Sequence, residues 1–377
     1  MILELDIYPK LFGFSLNRFL VYYHKRSLLP KLFSLYLTFW FVFYLILDYL
    51  PIRYEDLFMI GGDITFIMFG KSRNMGTISQ SSYLVQCICY SFQNMTDNYR
   101  WIMEADNKIK MFKYVQNSKK ITQCLKNAKI CLILAPIFIL ITVTMVLSLS
   151  FILYPERNKK YPFFVLTVAN IIFIHYLGSI LMSQFIIRTY VLCKITSECY
   201  NQNNCYAEYR VKHYKKTKQN IIVIFSDYYR EFAMISTMFN HFRSECKFTF
   251  TVFISCTMPM CAMLFYLYTE GDKIPFKLRI TGPFFMTSFL IPMFFLTFHI
   301  GKVSQNGSAL CDFWYKYLID RNSLQSLSIH SQLSRYFDIT FSSELGISVL
   351  GVEINSNTMM KVNNCFIIFL LIYILFF

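Results

Sequence analysis

Charge is scarce in this chain. Asp, Glu, Lys and Arg make up 16% of its residues, against roughly a quarter in ordinary soluble domains. A soluble protein of 377 residues that is 55% hydrophobic would expose apolar patches and aggregate, whereas a bilayer accepts apolar side chains outright. Gly and Pro are also few, at 12 and 10, so there is no low-complexity linker, and no repeat of solenoid period occurs. There is no CxxC pair among the 12 cysteines, and Cys87-Ile88-Cys89 is too tight and too isolated for a zinc site. The predicted outer loops hold no cysteine, so reduced thiols and no disulfide framework are expected. No Ser-His-Asp set, HExxH, P-loop or GxGxxG is present. An enzyme would have no residues to stand on, and no cofactor or metal is expected. No small-residue cleavage site accompanies the first apolar run, which starts near Leu32 behind five Lys/Arg. It reads as a first membrane span, not a cleaved signal peptide.

What the chain does have is apolar runs of membrane length. A helix crosses ~30 Å of hydrocarbon in about 20 apolar residues. The candidate spans are Leu32–Leu50, Leu57–Phe69 (short, and extended beyond these bounds), Ile130–Tyr154, Phe163–Ile187, Phe248–Tyr268, Ile280–Ile300 and Ser356–Phe377. All are expected to be helices, because irregular backbone facing lipid leaves its amides unpaired. The fold class is therefore all-α, a polytopic membrane protein with seven transmembrane helices.

The net charge of +15 fits nucleic acid or the cytoplasmic membrane face. The basic residues sit in the gaps between apolar runs, which favours the membrane and excludes a nucleic-acid partner. The stretches 1–31, 71–129, 188–247 and 301–342 hold 29 of the 37 Lys and Arg. Basic residues collect on the cytoplasmic side. The N-terminus is thus expected in the cytoplasm and the C-terminus outside, in the plasma membrane. A G-protein-coupled receptor would place its N-terminus outside, and its Asp-Arg-Tyr and Asn-Pro-x-x-Tyr patterns are missing. A secondary transporter would show related halves and more buried ionisable residues.

Two cytoplasmic stretches are patterned as helices. In 196–247, Ile221, Ile224, Phe225, Tyr228, Phe232, Ile235, Met238, Phe239 and Phe242 recur at three and four residues. This is an amphipathic helix leading into span five. The stretch 302–345 repeats the pattern with Leu310, Trp314, Tyr317, Leu318, Leu324, Leu327, Ile329 and Leu333. Spans four to six are therefore expected to extend below the membrane, their apolar stripes covered by another helix of the chain or by another subunit.

Individual residues carry weaker signals. The sequons at Asn94 and Asn306 fall on the cytoplasmic side, where glycosylation does not occur. Asp63, in Gly61-Gly62-Asp63-Ile64-Thr65, is the one acid deep in a span. It is either a functional carboxylate or an interfacial, hydrated one. His175 and His299 lie in spans four and six without metal-ligand spacing, which favours structural hydrogen bonds. Pro136, Pro259, Pro283 and Pro292 lie within spans three, five and six. In the last span Phe369, Tyr373 and Phe376 stand at i, i+4 and i+7, on one face. Asn355, Asn357, Lys361, Asn363 and Asn364 precede them. A span polar at one end and aromatic at the other suits a pore helix with an apolar constriction, or a plain anchor with polar interfacial residues.

Three stretches carry a family resemblance. One is Ser226-Asp227-Tyr228-Tyr229-Arg230-Glu231-Phe232, running on through Met238-Phe239-Asn240-His241-Phe242. The second is Val303-Ser304-Gln305-Asn306-Gly307-Ser308-Ala309-Leu310. The third is Phe341-Ser342-Ser343-Glu344-Leu345-Gly346-Ile347 through Val352-Glu353-Ile354-Asn355. With seven spans, an inside N-terminus and no outer disulfide, the chain resembles the arthropod chemoreceptor superfamily, and its gustatory receptor branch best. The C-terminal signature of that family is Thr-Tyr, five hydrophobic residues and Gln-Phe. Here 369–377 matches only its hydrophobic character and final Phe, which marks a divergent member.

The resemblance implies a ligand-gated cation channel for small organic tastants or odorants, built as a homo- or hetero-tetramer. The alternatives are another polytopic receptor or a secondary transporter. In this division 1–31 is the cytoplasmic N-terminus and 32–300 a six-helix ligand-binding bundle. Residues 301–355 are a cytoplasmic anchor helix and 356–377 the pore-lining last helix, with Phe369, Tyr373 and Phe376 facing the pore. The ligand lies between outer halves of the other helices. There the topology places Asp63, Ser148, Tyr154, Thr167, Asn170, Phe173, Met263, Tyr266, Phe284 and Thr287. Such an aromatic pocket with scattered hydroxyls suits a mainly apolar molecule.

Overall fold

The computed structural model describes residues 28–49, 81–90, 119–153, 164–217, 221–269, 281–319, 327–341, 345, 347–349 and 352–354. These form α1 (Leu28–Tyr49), α2 (81–90), α3 (Lys119–Leu153), α4 (Phe164–Thr217), α5 (Ile221–Thr269), α6 (Thr281–Ser308), α7 (Cys311–Ile319) and α8 (Leu327–Phe341). A two-stranded antiparallel hairpin follows, β1 (Ile347–Val349) and β2 (Val352–Ile354), with Ile347 opposite Ile354 and Val349 opposite Val352. Spans one, three, four, five and six of the sequence reading all fall on helices. Leu57–Phe69 and Ser356–Phe377 lie outside the described residues.

Helix length decides how far the fold leaves the membrane. The 54 residues of α4 span ~81 Å and the 49 of α5 span ~74 Å at about 1.5 Å per residue. Hydrocarbon takes up ~30 Å of either. More than half of each helix therefore stands outside the hydrocarbon core, in line with the apolar periodicity of 221–242. Residues 196–217 belong to α4, however, so the amphipathic run into span five begins at Ile221. Lys212, Lys215 and Lys216 stand in the last turns of α4, where the helix dipole favours positive charge. At the other end of the bundle, Pro283 falls in the first turn of α6, where its missing amide hydrogen leaves no acceptor unpaired.

α4 is the centre of the bundle and packs against α3, α5, α6 and, at fewer points, α1; α5 and α6 also pack on each other. α1 turns Leu37 and Phe41 inward and leaves Leu32, Leu35, Tyr36, Phe39, Val42, Ile46 and Tyr49 exposed. α3 does the same with Ile130, Leu134, Ile137, Phe138 and Ile141, and α6 with Ile291, Phe295 and Phe298. A stripe of that size has to be covered by lipid or by protein. Counting only described residues, no helix is long and apolar enough to cross a membrane. In full, though, α1 carries just Lys31 and Asp48 as charges, one near each end. The outward apolar stripes agree with the full sequence of these helices.

α2 departs from the sequence reading. It lies inside the stretch 71–129, taken as cytoplasmic with no helix assigned, yet Leu84, Gln86, Cys87 and Tyr90 are buried. Tyr90 packs its ring on Phe185 of α4, 5.4 Å between centroids. Gln86, fully buried, donates through Nε2 to Thr257 Oγ1 at 3.0 Å and to the Phe253 carbonyl at 3.4 Å, both on α5. A buried amide in this setting joins helices because the dry interior leaves it no water to bond.

Candidate functional site

The three stretches that carried the family resemblance contribute Tyr228 and Phe232, Val303 and Leu310, and Leu345 and Ile347 to one buried cluster, and an aromatic core outside the membrane is built around the first of them. α5 supplies Phe225, Tyr228 and Phe232, α7 supplies Trp314, α8 supplies Tyr336, and α4 supplies Tyr200; all are buried. Trp314 stands edge-on to Phe225 at 5.1 Å and lies 5.3 Å from Tyr228. Tyr336 stands edge-on to Phe232 at 4.8 Å, and Tyr200 lies 5.4 Å from Phe232. Edge-to-face pairs at this spacing add to the area they bury. The apolar stripe of α5 is thus covered by helices of its own chain, which resolves the alternative left open by the sequence.

Threaded through this core is a chain of polar groups. The Tyr228 hydroxyl donates to Asn204 Oδ1 at 3.1 Å and stands 3.4 Å from the Tyr336 hydroxyl. Asn204 Nδ2 donates to the Asn306 carbonyl at 2.7 Å. That carbonyl is one of the last four of α6, which find no donor inside their own helix, so Asn204 closes the end of span six. The Asn306 side chain returns the contact, donating to Ser197 Oγ at 2.8 Å and to the Ser197 carbonyl at 3.1 Å. Asn203 donates to the Tyr228 carbonyl at 3.2 Å. Burial pushes the Tyr228 and Tyr336 hydroxyls above the usual phenol range, so Tyr228 keeps its proton and donates at neutral pH. The network ties α4, α5, α6 and α8 together at one level. It also accounts for the second sequon. Asn306 Nδ2 is committed to α4 and is not available for a glycan.

At the rim Arg210 Nη1 pairs with Asp227 Oδ2 at 2.8 Å, and Arg230 approaches the other carboxylate oxygen at 3.7 Å. Arg210 and Asp227 border a shallow, solvent-open cleft between α4 and α5, lined also by Asn203, Tyr206 and Glu231. Burial raises the Glu231 carboxyl, Arg230 opposing and Asp227 adding to the shift.

The sequence-chosen ligand residues distribute as follows. Ser148 is on α3, Thr167, Asn170 and Phe173 on α4, Met263 and Tyr266 on α5, Phe284 and Thr287 on α6. All eight fall within ten residues of the helix end opposite the polar network. Ser148 and Phe173 are exposed; for the other six the helical backbone is what the structure describes. Asp63, Tyr154, Phe369, Tyr373 and Phe376 lie outside the described residues. His299, expected to hydrogen-bond, is instead held by rings, 4.7 Å from both Tyr190 and Phe295. Asn203, Asn204 and Ser197 were missed altogether. The one signal for them was an Asn pair within the buried part of a long helix. The cysteines whose side chains the structure describes are free thiols. Among the described residues no group of three His, Cys, Asp or Glu side chains is placed to hold a metal ion.

No protein-family model matches the chain, and no curated protein sequence matches it. Solved structures do. The insect olfactory receptor OR5 from Machilis hrabei, in complex with eugenol, superposes with a TM-score of 0.56 at 16% identity, over 98% of this chain and 95% of that one. A second structure of the same receptor superposes with a TM-score of 0.52 at 13% identity, over 98% and 96%. These neighbours are receptors, not enzymes, and they belong to the olfactory branch where the sequence resembled the gustatory one. Over essentially its whole length the chain has the all-helical, seven-span fold of this insect olfactory receptor.

Proposed function

We propose that the chain is a chemosensory receptor that acts as a ligand-gated cation channel for small organic molecules. The full-length likeness to an insect olfactory receptor carries this reading. The convergence of the three resemblance stretches on one buried core supports it. In this reading four subunits, identical or related, surround one pore in the plasma membrane, with N-termini in the cytoplasm and C-termini outside. Residues 1–31 are the N-terminal arm, 32–300 the ligand-binding bundle, 301–355 the anchor segment and 356–377 the pore helix. The ligand site lies at the helix ends opposite the polar network. The gustatory assignment remains part of the proposal, and an aromatic odorant such as the eugenol of the neighbour is a suitable first probe beside tastants. Expressed in cells, the chain is expected to give cation currents with a panel of such compounds. Alanine at Asn170, Tyr266 and Phe284 is expected to shift the dose response for at least one of the three. A chain at the cell surface that passes no evoked current with any of them, alone or with related subunits, refutes the function. Three unshifted variants move the ligand site elsewhere.

The pore assignment is tested separately. Phe369, Tyr373 and Phe376 would close the path by dewetting, since ions shed water against apolar walls only at large cost. Cysteine at 369, 373 or 376 is expected to react with an impermeant aqueous thiol reagent applied outside during channel opening, and Tyr373→Ala is expected to raise agonist-free current. Inert cysteines at all three positions in an open channel refute the assignment.

A further inference from the structure

We propose that Gly307 and Leu345 form a positioning contact through which span six sets the last span, and that bulk at this contact tunes gating. The inference rests on the channel reading above. Gly307 is buried, one residue before the end of α6. A Cβ built there would lie 2.9 Å from Leu345 Cδ1 and 3.1 Å from Cδ2. A methyl there would meet the tip of the Leu345 side chain, which would have to move to admit it.

Both partners sit in packed surroundings. The turn of α6 that carries Gly307 is pinned to α4 by the Asn306 side chain on Ser197 and by Asn204 on the Asn306 carbonyl. Leu345 is 1% exposed. Two residues later Ile347, fully buried, opens β1, which packs on α5, while β2 packs on α6. β2 ends at Ile354, two residues before the sequence of the last span begins at Ser356. The hairpin thus packs on α5 and α6 and stands immediately before the sequence of the last span. A shift of α6 against α5 reaches the last span through Leu345 and this hairpin. An added methyl at 307 presses on the Leu345 methyls, and with so little exposure they can yield only by rotating or by moving the hairpin.

The test is a double-mutant cycle on the full-length channel, with Gly307→Ala, Leu345→Ala and the pair. Readouts are half-maximal agonist concentration, agonist-free current, unitary conductance and surface expression. Gly307→Ala is expected to shift half-activation roughly fivefold or more with unitary conductance unchanged. Leu345→Ala is expected to shift it the other way, and the pair to return toward wild type. A Gly307→Ala channel that gates as wild type overturns the inference, as does a shift that Leu345→Ala fails to reverse. If Gly307→Ala does not reach the surface, Leu345→Ala alone decides: unchanged gating overturns the proposal. A wild-type chain with no evoked current fails at the channel reading itself and is told apart by that control.

Discussion

Trp314→Ala is expected to lower stability by about 3–5 kcal/mol, the range for truncating a buried aromatic in a packed core. Trp314 is fully buried and is shared by α5 and α7, touching Phe225, Tyr228 and Phe313. No single neighbour can collapse into the space it leaves. The location adds to the effect. Inside a bilayer, lipid tails replace lost apolar contacts at little net change, so apolar burial does not drive helix association there. This core stands outside the membrane, where water supplies the full hydrophobic driving force. The loss is read by heating purified receptor with a thiol-reactive dye. The buried thiols of Cys193, Cys199 and Cys311 report opening, and burial raises the pKa of each, that of Cys199 to about 12, keeping it unreactive until then. The midpoint is expected to fall clearly for Trp314→Ala and less for Trp314→Phe, which keeps a ring against Phe225. An unchanged midpoint for Trp314→Ala would show that the core does not govern opening of the extramembrane part.

Asn306→Asp is expected to cost about 3 kcal/mol at neutral pH, more than Asn306→Ala, although it is the smaller change in shape. The Asn306 amide nitrogen donates to both the carbonyl and the hydroxyl of Ser197. A carboxylate has no hydrogen to donate and would set its negative charge against the Ser197 carbonyl in a half-buried site. Protonation of the introduced carboxyl reverses this, because the neutral acid donates again. The folded state therefore favours the protonated form and raises the variant's carboxyl above its unfolded value near ~3.9. The contribution of this group is fully present below that unfolded value and is lost as pH rises through the raised folded one. Measured against wild type from pH 7 down to pH 4, the stability difference is expected to shrink. A difference that stays constant over this range would mean that Asn306 acts by shape rather than by donating hydrogen bonds.

The residues themselves show how far sequence reading goes. Helix periodicity is a local property, so the buried face of 221–242 was legible: Ile224, Phe225, Tyr228, Phe232, Ile235, Met238, Phe239 and Phe242 are all buried, and Ile221 partly so. Apolar run length is local too, which is why spans one, three, four, five and six could be placed on the helices observed. Pattern fails where it is ambiguous. α1 is apolar nearly all round, so nothing in its sequence tells Leu37 and Phe41 from Phe39 and Val42; only its packing on the bundle does. The helix at 81–90 was hidden because its buried residues include Gln86, a polar side chain that sequence reading assigns to water and whose amide nitrogen instead donates to Thr257.

By itself, then, the sequence determined an all-helical membrane protein whose fourth to sixth spans continue outside the bilayer, because run length and periodicity belong to single segments. Only the tertiary structure decided what covers the stripe of α5 and which polar side chains join the helices. Asn204 and Asn306 stand 102 residues apart and Tyr228 and Tyr336 stand 108 apart. Contacts at such separations leave no periodic trace in the sequence. They exist because antiparallel helices of fixed length return those residues to the same level of the bundle, where each buried donor must find an acceptor.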